Sequence, residues 1–101
     1  MMTIFNTTFF FAETIAEKLC AELRTHWLKA STALGVLPPL VLKMDSEEGV
    51  CRLAIQTYLQ SRAEAARFEE EIASVLIAYL SSMFGPEKFT AFSTIMEETE
   101  L

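Results

Sequence analysis

Glycine and proline are scarce, with three of each in 101 residues. So few turn-formers leave little room for a fold of many short strands and favour long uninterrupted elements. Cysteine occurs only at Cys20 and Cys51, too few for a disulfide scaffold. Both fall on apolar positions, where a free thiol behaves as a small hydrophobe. His26 is the sole histidine. One imidazole and two distant thiols offer no metal-ligand spacing, and the Glu-x-x-His pair of di-iron bundles is missing because Glu22 precedes His26 by four residues. Gly35, Gly49 and Gly85 are too dispersed for a phosphate-cradling loop, and no Gly-x-Ser-x-Gly elbow occurs. These absences argue against an enzyme, and no cofactor or metal is expected.

Bases are outnumbered, 8 Lys and Arg against 14 Asp and Glu, for a net charge of -6. Phosphate neutralisation needs clustered cations, so direct binding of nucleic acid or of an anionic membrane is not expected. The longest uncharged runs, 30–42 and 72–86, fall short of the roughly 18 to 20 apolar residues that span a bilayer. No basic segment precedes Glu13 as a secretory signal would require, and the expected location is the cytoplasm.

What the chain does have is apolar residues, 51% of the total, enough for one domain over 1–101 with a real core. Phe9, Ala12, Ala16, Leu19, Leu23, Trp27, Ala30 and Leu34 recur in steps of three and four, which predicts a helix over 7–34 with Asn6 as its N-cap and Gly35 as its stop. A strand over 3–11 is the alternative, since Thr, Ile and Phe are good strand formers. Pro38 and Pro39 mark an extended connector over 36–44. Asp45 and Glu48 have the spacing of a capping box, and Cys51, Ala54, Tyr58, Ala65, Phe68, Ile72, Val75 and Tyr79 continue a helical register. Helix is therefore expected over 46–84, either continuous or broken near Ser61. Gly85 and Pro86 read as a stop followed by a last helix over 86–97, and the acidic tail 97–101 is expected to fray. The expected fold is all-α, a bundle of three to four helices completed by homodimerisation.

Residues 1–45 are charge-balanced, and 46–101 carry the whole acidic excess, which reads as a solvated helix face around Arg67 and its neighbours Glu64, Glu70 and Glu71. The run from Ile72 to Phe84 is apolar nearly all round, more than a small bundle can cover. This points to a dimer interface of Ile72, Leu76, Ile77, Leu80, Phe84, Phe89 and Phe92. Phe9, Phe10, Leu37, Leu40 and Leu42 are the candidate surface for a protein partner. The expected function is a non-catalytic regulator that binds and inhibits or sequesters that partner. The alternatives are an acidic mimic of nucleic acid, a secretion or assembly chaperone, or a bundle holding a small molecule among Phe9, Trp27 and Tyr58.

Overall fold

The computed structural model describes residues 2–33 and 38–101. It overturns the all-α expectation. Strand β1 is Thr3–Ala12, β2 is Leu40–Met44, β3 is Val50–Leu59 and β4 is Phe89–Glu97. Helix α1 occupies 13–33 and helix α2 occupies 62–84. The order along the chain is βαββαβ, and the strands form one sheet in the order β2-β3-β1-β4, antiparallel at every pairing. Both helices cover the same face of that sheet.

The composition of β1 decides its conformation. Thr3, Phe5, Thr7, Phe9 and Phe11 alternate toward the helices and are buried, while β-branched and aromatic side chains suit a pleated surface. The strand alternative was therefore the right reading for this segment, and Asn6 sits within the sheet, paired with Gln56 and Thr94, instead of capping a helix. The stretches 50–59 and 89–97, expected to be helical, are strands flanking β1. The tail is held at its start: Glu97 pairs with Thr3 and accepts a 2.6 Å hydrogen bond from Arg62, and the Glu98 amide donates to the Met2 carbonyl. Asp45 and Glu48 lie in the hairpin joining β2 to β3, where Gly49 takes a φ of 81°. The expected helix stop at Gly35 lies outside the described residues.

The helical signal was sound over 13–33. Leu19, Leu23, Trp27 and Ser31 are buried at steps of four, a spacing that drifts by about 40° per step around an ideal helix. A wider π turn over Leu23–Leu28 absorbs that drift and keeps the stripe on the sheet. The buried Ser31 hydroxyl donates to the Trp27 carbonyl. Helix α2 begins where the sequence reading allowed a break: Ser61 accepts from the Glu64 amide, and the Glu64 carboxylate accepts from the Gln60 amide, so the reciprocal cap is here and not at Asp45. The core then closes with Phe5, Phe9, Ile55 and Phe89 of the sheet against Leu23 and Trp27 of α1 and Phe68 and Leu80 of α2. Trp27 meets Phe9 edge-on, with centroids 5.2 Å apart.

Gly85 ends α2 as expected, but Pro86 leads into β4 and not into another helix. With φ 84° and ψ 154°, Gly85 occupies a region essentially closed to other residues, and nothing lies within 4 Å of a Cβ built there. Gly85→Ala should therefore cost only backbone strain, on the order of 1–3 kcal/mol. A urea titration of this variant that superimposes on wild type would contradict the assignment.

Candidate functional site

Strand pairing sorts the side chains into two faces. One packs on the helices. The other carries Leu40, Leu42 and Met44 from β2, Val50, Arg52, Ala54, Gln56 and Tyr58 from β3, and even-numbered residues of β1 and β4. On this open face Leu40, Leu42, Met44, Val50, Phe92 and Met96 each stand more than a third exposed, Phe92 at 54%. A helix-covered sheet ordinarily turns polar side chains to solvent on its free side; here six large apolar side chains stand exposed among the polar ones.

The face has internal order. Phe92 stacks on Phe10 with centroids 5.6 Å apart and planes 24° from parallel, and the guanidinium of Arg52, which faces Phe10 across the β1–β3 pairing, lies 5.5 Å from the Phe10 centroid. Leu42, Ala54, Thr8 and Phe92 occupy successive strands, so the small, buried Ala54 and Thr8 form a floor between Leu42 and Phe92. Beside it runs a polar line in which Gln56 Nε2 donates to Asn6 Oδ1 and Asn6 Nδ2 donates to Thr8 Oγ1, both at 3.3 Å. Arg52 is the one charged side chain that the four strands turn to this face. Its Nε is buried with no hydrogen-bond partner among the described residues.

Phe10, Leu40, Leu42 and Phe92, which the sequence reading divided between a partner surface and a dimer interface, thus come together on one face. Phe9 does not join them: it is 0% exposed, in the core beneath Trp27, and cannot contact a partner. Leu37 lies outside the described residues. Leu80 and Phe89 are buried within the chain, and Ile72, Leu76, Ile77 and Phe84 pack against the same core. The apolar circumference of α2 is thus largely used inside the monomer. The pocket expected among Phe9, Trp27 and Tyr58 is closed, since Phe9 and Trp27 are packed ring to ring and Tyr58 stands on the other side of the sheet. Met44, Val50, Arg52 and Met96 were missed. Their signal was alternation with Cys51, Leu53, Ile55 and Ile95, masked because both phases are largely apolar.

His26 pairs with Glu22 at 3.1 Å on the outside of α1, as the i, i+4 spacing predicts. Both cysteines are free. Among the described residues no group of three His, Cys, Asp or Glu side chains is placed to hold a metal, and no helix is long and apolar enough to cross a membrane. One cavity, of about 190 Å³, opens between α1 and strands β2 and β3. Another, of about 220 Å³, lies where the β2–β3 hairpin meets the start of β4.

No protein-family model matches the chain, and no curated protein matches it in sequence. Solved structures do. A dimeric ferredoxin-like protein from an uncultured marine organism superimposes with a TM-score of 0.59 at 15% identity, over 99% of this chain and 97% of that one. A de novo designed protein with a ferredoxin fold gives 0.57 at 12% identity, over 99% and 89%. A Bacillus cereus protein described as an antibiotic biosynthesis monooxygenase gives 0.53 at 17% identity, over 99% and 97%. Likeness at such identities speaks for architecture and not for chemistry, and the architecture of this chain is ferredoxin-like.

Proposed function

We propose that the chain is a homodimeric, non-catalytic regulator that acts in the cytoplasm, two copies packing sheet against sheet and the dimer binding a protein partner through its helices. The observation that carries the dimer is the apolar open face, with Phe92 over half exposed and five other large apolar side chains beside it. Three strands of nine or ten residues and one of five, about 4.8 Å apart with a rise of about 3.3 Å per residue, present on the order of 500 Å² in projection. Side-chain relief brings this toward the roughly 800 Å² per partner of a standard interface. A two-fold axis uses one such patch twice, and sheets pack face to face at about 10 Å. The dimeric marine protein of the same fold lends support.

Sheet-to-sheet packing leaves the helices outward. On α2, Val75, Tyr79 and Met83 are exposed one turn apart, next to the exposed carboxylates of Glu69, Glu70 and Glu71. That combination suits a partner segment with an apolar stripe flanked by bases. Sedimentation equilibrium at tens of micromolar should return twice the chain mass of 11.4 kDa. A monomer under those conditions would remove the dimer from this reading.

A further inference from the structure

The cavity between α1 and the edge of the sheet is independent of the open face, because Val41, Leu53 and Ile55 line it from the helix side. At about 190 Å³ it is smaller than the roughly 300–1,000 Å³ of pockets that take cofactors and drug-sized molecules. A nucleotide or flavin does not fit, whereas a short to medium acyl chain does. Its walls are the hydrocarbon of Leu23, Leu28, Val41, Leu53 and Ile55 with the half-buried Cys20, and among the described residues Arg24 is the one charged residue lining it. In a chain with 14 acids, Arg24 has no carboxylate partner among the described residues; the ion pairs there join Glu22 to His26 and Arg62 to Glu97. Of the four α1 residues in the wall, Leu23, Arg24 and Leu28 belong to the π turn and Cys20 precedes it, and such widened turns concentrate at functional sites.

We infer that this cavity binds a small monocarboxylic acid with an unbranched apolar tail. The tail lies among the aliphatic walls, and the carboxylate meets the Arg24 guanidinium, whose planar fork donates to both carboxylate oxygens at once. The dimer proposed above leaves the cavity open, since it lies on the other side of the sheet.

Octanoate is the probe, with octanol as its uncharged counterpart, titrated into the full chain by calorimetry and by amide chemical shifts. Octanoate should saturate, shift residues around Leu23, Leu28 and Leu53, and bind about tenfold more tightly than octanol through the charge-assisted contact. Arg24→Gln should bring octanoate down to the octanol level while leaving octanol unchanged, and Arg24→Lys should retain part of the difference. Val41→Trp, which fills the cavity from an exposed edge position, should abolish both. Octanoate should also slow alkylation of Cys20 in a Cys51→Ser background. Equal affinity of wild type and Arg24→Gln for octanoate, shifts centred on Leu42 and Phe92, or no saturation into the millimolar range would each overturn the inference. Arg24 is exposed, so its variants remain decisive if Val41→Trp fails to fold.

Discussion

Trp27→Ala should lower the stability of the chain by about 2–4 kcal/mol, a large share of the 5–15 kcal/mol typical of a domain. Trp27 is 0% exposed and holds the centre of the core, edge-on to Phe9 and to Phe68 at 5.2 and 6.1 Å. Truncating a buried ring of this size usually costs about 3–5 kcal/mol. One term opposes it: the indole Nε1 is buried with no acceptor among the described residues. Removing that orphaned donor returns roughly 1 kcal/mol, at the lower end of the usual penalty. The expected fall in Tm is about 8–32 °C at about 4–8 °C per kcal/mol. Trp27→Phe separates the terms, since it keeps ring contacts and deletes the orphan; it should lie within about 1.5 kcal/mol of wild type. Thermal and urea unfolding followed by circular dichroism measures both variants. Equal losses for Ala and Phe would mean that the N–H, and not the packed ring, is the feature that matters.

The second large effect belongs to the open sheet face. Leu42→Asp combined with Phe92→Asp should convert the proposed dimer to a folded monomer. Each carboxylate would be buried against the partner sheet, where the two Arg52 side chains of the dimer, one from each sheet face, cannot neutralise all four introduced charges. An unpaired charge so placed costs several kcal/mol, and about 4 kcal/mol already raises Kd by roughly a thousandfold. In the separated chain both side chains are more than a third exposed, so the fold itself should tolerate the change. Val75→Asp, at the most exposed apolar position of α2, serves as the control and should leave the mass unchanged. Ile77→Asp should behave differently again and lower unfolding stability, because Ile77 packs against the core of its own chain. Light scattering that gives the Leu42 and Phe92 double variant the same mass as wild type would exclude the sheet face as the interface.

What could be read from the sequence follows from which faces are covered. Helix α1 was legible because one stripe, Leu19, Leu23 and Trp27, is buried while Glu17, Lys18 and Arg24 are not. The end of α2 was legible because only glycine suits the geometry at Gly85. The strands were obscured by the feature that carries the functional proposal. Alternation reveals a strand when one face is polar; in β3, Val50, Ala54 and Tyr58 on the open face mimic the apolar residues Cys51, Leu53 and Ile55 on the other. In β1, Ala12 happens to fall four residues before Ala16 of the true helical series and Phe9 three before Ala12, which extended that helix backward into the sheet. The apolar surplus was correctly sensed, but it was assigned to α2 when half of it lies on the back of the sheet. The cavity beside Arg24 could not be read at all, since it depends on how β2 sits against α1.

The order β2-β3-β1-β4 sets a schedule for synthesis. Strand β1 lies in the interior of the sheet, yet its two neighbours are made long after it, and Thr3 ends beside Glu97. Between the completion of Ala12 and the first residue of β4, the ribosome needs roughly 4 to 15 s at about 5–20 residues per second. Throughout that interval Phe5, Phe9, Phe10 and Phe11 occupy a strand-prone segment without charge and with at least one edge unpaired, both until β3 is made, the profile of a segment that recruits its own copies on crowded polysomes. Early formation of α1 can shield the helix-facing aromatics, but the hydrogen-bonding edge waits for β4. Slowing elongation downstream of α1 therefore lengthens exposure of the most adhesive part of the chain, and the yield of native protein is tied to translation speed as well as to stability.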